Sequence, residues 1–339
     1  SSADDKEPFS QYGNLVEKAE VAEDHLSLTY YLYKKAKFSD GHPLTADDFV
    51  FSFNLIKAPQ YHPIFKEYFK DIKSIEKIDA HTVRYNFAIH NQELPLITGQ
   101  MFIFPKHIYG AEGKSFGADF DDMAVGSGPY TIEKYEYGKY ITYKRNPNWW
   151  FGKTIGKPEM PYFDTIMSKV IPDPSIRLAN FRAGKLDVLA PAPSQYQLLK
   201  RDPNFKVYSR IHNGWSGYWF NQAAGPCKDI RVRKAISHAI DRKALIAGVM
   251  FGLAEPAASN YPTGHWAKNP DLKPVQYNPE LSKKLLAEAG YGDGLTIKGY
   301  VVNSTGLVTV ATAVKNMLHK VGVDWKYDTM DTVAADSRM

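Results

Sequence analysis

Chemistry in this chain would have to come from ten histidines, a single cysteine and scattered carboxylates, and their spacing supports little of it. No histidine stands in an H-E-x-x-H pattern or beside a second ligand at metal spacing; His62, His81, His107 and His212 read as surface or strand-end residues. Asp47 and Asp48 are neighbours, so on a helix they project in different directions and cannot work as a catalytic pair. There is no G-x-S-x-G elbow and no phosphate-cradling G-x-x-x-x-G-K-[ST]. The glycines of VGSGPY, Val125 to Tyr130, lack a third partner and precede a hairpin instead of a helix, which marks a tight turn. Asp187, in GKLDVL, reads as the end of a helix–strand connection. Cys227 stands alone, so an internal disulfide and paired-cysteine metal sites are excluded, and the compartment is left open. No catalytic residue, metal or cofactor is expected.

The elements that would position any site must come from a long chain. At 339 residues it exceeds what one hydrophobic core usually organises, which implies two lobes or more. Hydrophobic residues at 44% and charged residues at 23% are those of a folded globular protein. The 42 Lys and Arg against 37 Asp and Glu leave a net charge of +5. Acidic residues interrupt the basic stretches; Lys66 to Asp79 alternates in sign and reads as a solvated face, so nucleic acid is not an expected partner. Aromatics reach 14%, with 22 Tyr and 6 Trp, enough for strand packing and for a cleft that grips varied ligands. No run of 18 apolar residues exists, and SSADDKEPFSQYG has neither the basic nor the apolar part of an export signal.

Periodicity predicts strands at Leu26–Tyr33 and His81–Ile89, and a hairpin of Tyr130–Tyr137 with Tyr140–Arg145 turning near Gly138. A helix starts at about Ala46, capped by Thr45 with Asp48 three residues on, and buries Phe49, Phe53 and Ile56. PSIRLANFRAG predicts a short helix with Ile176, Ala179 and Phe181 on one face, stopped by Gly184. One longer helix follows from the Asp229 cap to about Met250, with Val232, Ile236, Ala239, Ile240 and Ala244 inward. Asn278, Pro279 and Gly290 frame another, and Thr305 and Gly322 the last, Gly306 to Val321. Alternating strands and helices with hairpins give an α/β, or mixed α+β, protein.

Five blocks in order resemble the family of dipeptide-, oligopeptide- and nickel-binding proteins that serve ABC importers. They are AKFSDGHPLTADDFVFSF (Ala36 to Phe53), GSGPYTIEKYEYGKYITYKRNPNWWFGK, NFRAGKLDVL, FNQAAGPCKDIRVRKAISHAIDRKALI and YNPELSKKLLAEAGY. Phe49, Trp149 and Cys227 stand where the family more often has Val, Tyr and an aromatic. The blocks themselves read as scaffold: a turn at Asp40-Gly41, a tight approach to a hairpin at Gly126 and Gly128, and Arg231 and Arg233 tying to neighbouring carboxylates.

The resemblance implies a two-lobed periplasmic-binding-protein fold with an accessory subdomain, incomplete in this chain. It places the accessory subdomain in residues 1–115, the main part of lobe 1 in 116–215 and part of lobe 2 in 216–339, with a hinge over Asn213–Asn221. Family members have further segments on both sides of the region seen here, and the chain is expected to be part of a longer protein. The implied function is capture of oligopeptides or peptide-like ligands by lobe closure and delivery to membrane permease subunits. The protein would be an extracytoplasmic monomer, with lipid anchoring left open. Trp215 and Tyr218 at the hinge, Tyr68 in the accessory subdomain and Met101 are the expected cleft residues. Cys227 takes an interior position in the family, where a thiol behaves as a small hydrophobe of raised pKa. A ligand-sensing module for a membrane receptor would share the fold; a peptide or glycan hydrolase is the remaining alternative.

Overall fold

Strict alternation in Ser27–Leu32 turns Leu28, Tyr30 and Leu32 to one side, and this strand organises the first part of the molecule. The computed structural model describes residues 13–59, 61, 63–110, 125–209, 214–263, 265 and 267–336; His62, His212, Asn213 and the boundary near Ser115 lie outside them. The chain divides into two compact units, Ser1–Pro172 and Asp173–Met339.

In the first unit β1 (Val16–Val21), β2 (Ser27–Leu32), β3 (Ile72–Asp79) and β4 (Thr82–Phe87) form an antiparallel sheet in the order β1-β2-β4-β3. Helix α1 (Ala46–Lys57) lays Phe49, Phe53 and Ile56 into the same core as Leu28, Val83 and Tyr85. Its start is the expected one: the Asp48 carboxylate accepts the Thr45 backbone N–H at 2.8 Å. Asp48 is only 3% exposed, and its second oxygen accepts the Lys106 N–H at 2.9 Å. Ser52, one turn on, donates to the Asp48 carbonyl and accepts the Phe104 N–H at 2.8 Å. These two polar residues pin the strand-less segment 104–106 to α1, which is why polar side chains occupy an inward face.

Short helices α2 (Pro63–Tyr68), α3 (Leu94–Thr98) and α4 (Lys106–Tyr109) complete this part. The solvated face expected over Lys66–Asp79 is corrected here: it holds the end of α2 and all of β3, with Ile72 and Ile75 buried. Two residues three apart both face inward because the register shifts between Ile72 and Ser74, an irregularity that simple alternation hides. A second antiparallel sheet joins β5 (Tyr130–Glu136), β6 (Tyr140–Arg145) and β7 (Thr165–Lys169), with α5 (Phe151–Thr154) between the last two. Gly138 takes the hairpin turn at φ 71°. The Asn146 amide donates to the Gly128 carbonyl at 2.9 Å and Ser39 N–H to the Gly126 carbonyl at 2.7 Å, so VGSGPY is a latched turn as expected.

The second unit opens with α6 (Pro174–Arg182) and α7 (Pro193–Lys200). The face expected on α6 is not buried: Ile176 is exposed, and Phe181 lies against the ring of Phe205, at 4.9 Å. The long helix expected after Asp229 is two, α8 (Ile230–Ala239) and α9 (Arg242–Gly248). Ile240 turns extended, Asp241 caps α9 by accepting the Ala244 N–H at 2.9 Å, and Arg242 donates to the Ser237 carbonyl at 3.1 Å. An internal cap thus interrupts an unbroken apolar stripe.

Helix α10 (Pro279–Glu288) follows with the Asn278 cap and the Gly290 stop as read. Arg231 bridges the Asp229 carboxylate and the Glu288 carbonyl that ends α10, and Arg233 holds the Cys227 and Lys228 carbonyls at 2.9 Å. Strand β8 (Leu295–Val302), α11 (Thr305–His319) and β9 (Val323–Met330) make a parallel β–α–β unit, closed by α12 (Thr332–Asp336). The α11 cap is Ser304, one residue before the expected Thr305. Val232, Ile236, Leu286, Val314, Leu318, Val323 and Trp325 form the core of this unit. Cys227 packs against it half-buried, and burial pushes its thiol up despite the opposing charge of Arg233. Mixed α/β is therefore the observed class.

Candidate ligand-binding site

Residues 214–220 belong to no helix or sheet. Tyr218 and Phe220 turn toward the core of the second unit: Tyr218 meets Trp325 of β9 edge-on at 5.1 Å, and Phe220 packs on the core cluster. Trp215 and Trp219 take the other side and lean together, ring centroids 5.1 Å apart and planes tilted by 35°. Between them stands Gly217, where a Cβ would collide with the Trp215 ring. Gly217 therefore permits a close ring approach. The two indoles remain 43% and 76% exposed.

The inward aromatics are ordered by the sheet below. Trp325 lies against Tyr327 at 4.8 Å, and Gly299 on β8 leaves its indole nitrogen room that a larger residue would crowd. Tyr327 shares a hydrogen bond of 3.1 Å with Thr312 of α11, and the Lys315 ammonium sits 5.7 Å from its ring centre. Desolvation, with the Tyr327 hydroxyl nearby, pushes the Tyr218 phenol up to about 12 even though the ring keeps an open face. It is a neutral hydrogen-bonding group at any physiological pH.

The expected cleft residues fall in both units. Trp215 and Tyr218 both lie in the second but in separate contacts, Trp215 with Trp219 and Tyr218 with Trp325. Tyr68 ends α2 in the first unit, exposed and edge-on to Phe69 at 5.3 Å. Met101 lies in the first unit's core and is 8% exposed. Trp219, Trp325 and Tyr327 were not anticipated, although WSGYW and VDWKYD both show the period-two signal that places them.

Titratable groups also converge around Asp40. His42 and His107 stack at 3.8 Å with planes 12° apart, and His107 Nε2 is 2.6 Å from Asp40. Burial would raise the Asp40 carboxyl, but the bonds from His107 and the His42 N–H outweigh it and hold it below its ordinary range. Face-to-face rings direct their nitrogens in parallel planes, so they do not converge on a common ion. Among the described residues no three His, Cys, Asp or Glu groups are placed to hold a metal, and no helix is long and apolar enough to cross a membrane.

Solved structures with this fold are solute-binding proteins. The oligopeptide-binding protein AppA of Bacillus subtilis, solved with a nonapeptide, superposes with a TM-score of 0.80 at 25% identity, over 96% of this chain and 67% of that one. The Pseudoalteromonas dipeptide-binding protein, solved with Met-Leu, shares the fold at a TM-score of 0.84 and 22% identity, over 99% and 70% of the two chains. Residues 11–339 match the family described as bacterial extracellular solute-binding proteins, family 5, middle region, and the chain belongs to that family. Haem-binding protein A of Haemophilus influenzae is 31% identical over 83% of this chain and 54% of its own length. The dipeptide-binding protein of Escherichia coli is 30% identical over 84% and 56%. The chain spans little more than half the length of these relatives.

Proposed function

We propose that the protein captures oligopeptides, or peptide-like ligands, outside the cytoplasm and passes them to the permease subunits of an ABC importer. The observation that carries the reading is the exposed indole pair of Trp215 and Trp219, in the same segment as Tyr218, which rests on Trp325, in a chain of the solute-binding family. Peptide-binding relatives and a peptide-bound structure of the same family support it. Rigid aromatics and a neutral phenol supply contact area and a hydrogen bond without demanding one side-chain type. Backbone hydrogen bonds to the peptide would then give affinity with little sequence preference. No catalytic step belongs to this reading.

Ligand binding would shift an open–closed equilibrium of two lobes, with the closed form recognised by the permease. The three-part division at about residues 115 and 215, the hinge over 213–221, the monomeric state, and Tyr68 and Met101 as cleft lining are parts of the same proposal. Calorimetry on the natural full-length chain with peptides of two to nine residues tests it. Micromolar or tighter binding with compaction in solution scattering is expected. Failure to bind any peptide, together with tight binding of haem or a nickel chelate, would overturn the peptide assignment.

A further inference from the structure

Two tryptophans, four residues apart and on one side of a non-helical segment, stay open to solvent while touching each other. Isolated surface hydrophobes are ordinary, but a paired indole surface kept in water has no packing explanation within its own unit. It depends on a deliberate gap: in the row 215, 217, 219 the middle position has no side chain, and the Trp215 ring occupies the space one would fill. Any larger residue at 217 would part the indoles. At 5.1 Å the rings are in mutual contact, so a guest cannot slip between them and must lie on their outer faces.

We propose that the Trp215–Trp219 pair, brought together across Gly217, is a stacking subsite for an aromatic side chain of the captured ligand. The inference rests on the peptide-capture reading and adds a preference to it. An indole face attracts either a neutral ring or a cation. Charge decides between them. The unit Asp173–Met339 holds 22 of the 42 basic residues but only 14 of the 37 acidic ones, and Lys315 already occupies the neighbouring Tyr327 face. A cationic guest would enter against that surplus, whereas a ring borne by a peptide with a free carboxylate is favoured on both counts.

The test is calorimetric titration of the natural full-length chain with Ala-Phe-Ala, Ala-Leu-Ala and Ala-Lys-Ala. Ala-Phe-Ala should bind about tenfold tighter than Ala-Leu-Ala, the upper range for aromatic pairing beyond area burial, with Ala-Lys-Ala weakest. Trp219→Ala alters an exposed side chain and should fold normally by circular dichroism. It should weaken Ala-Phe-Ala about tenfold more than Ala-Leu-Ala, so that the preference for the phenyl ring is lost. Gly217→Val should erase the same preference by displacing Trp215. Equal affinities in the unaltered protein, a preference that survives Trp219→Ala, or a preference for Ala-Lys-Ala would each overturn the aromatic subsite while leaving peptide capture intact. Binding of none of the three would overturn peptide capture and the subsite with it.

Discussion

Tyr85 carries its hydroxyl into the centre of the first unit's core, fully buried, with Tyr30 edge-on at 5.3 Å and, among the described residues, no hydrogen-bond partner for its oxygen. A desolvated, unpaired hydroxyl costs about 1–3 kcal/mol, so Tyr85→Phe is expected to raise stability by about 1 kcal/mol, read from the midpoint of urea unfolding. A loss of stability would mean that the oxygen is satisfied in solution. Tyr218 gives a pH dependence. Its phenol lies near 12 in the folded chain against about 10 when unfolded, so the native state retains its proton longer. The contribution is constant below pH 10 and is lost as pH rises from 10 to 12. Urea midpoints of Tyr218→Phe should therefore fall less steeply than those of the unaltered chain across that window, and parallel slopes would contradict the assignment.

Among the elements, the break between α8 and α9 shows how one side chain redirects an apolar stripe. Asp241 accepts the Ala244 N–H in the first turn of α9, and Arg242 returns to the carbonyls that end α8. Asp241→Ala should lower stability by about 1 kcal/mol, and Asp241→Asn, which keeps the acceptor, by much less. Equal losses in the two variants would deny the cap its role. The same economy explains the recurrent blocks: Asp48, Ser52, Asn146, Arg231 and Arg233 all bind backbone groups that their helices and turns leave open. Scaffold duty was expected for Arg231 and Arg233 through carboxylates; Arg231 does hold Asp229, whereas Arg233 donates to backbone carbonyls instead.

On the scale of the whole chain, the two units have separate hydrophobic cores, one centred on Ile72, Val83 and Tyr85, the other on Val232, Val314 and Leu318. Denaturant should produce two transitions. Leu318→Ala, which opens a cavity in the second core, should move one of them by about 2–5 kcal/mol and leave the other in place. A single transition displaced by substitutions in either core would show the units to be energetically one.

By itself the sequence determined the class, the family and most helix and strand positions, because caps such as Thr45, Asp229 and Asn278 and alternation such as that of Ser27–Leu32 are local signals. Trp215 and Tyr218 were legible as candidate contacts through the family resemblance, whereas Trp219 was not, although it stands two residues beyond Gly217. Only the tertiary structure decided which aromatics meet. Trp325 is more than a hundred residues from Tyr218, and no spacing in the chain announces a contact made by folding β9 beneath that segment. It also decided that Gly217 clears space for a ring and that Ile72 and Ile75 share a face across a register shift. Local propensity is written in neighbouring residues, but the use of a side chain depends on what the distant chain brings against it.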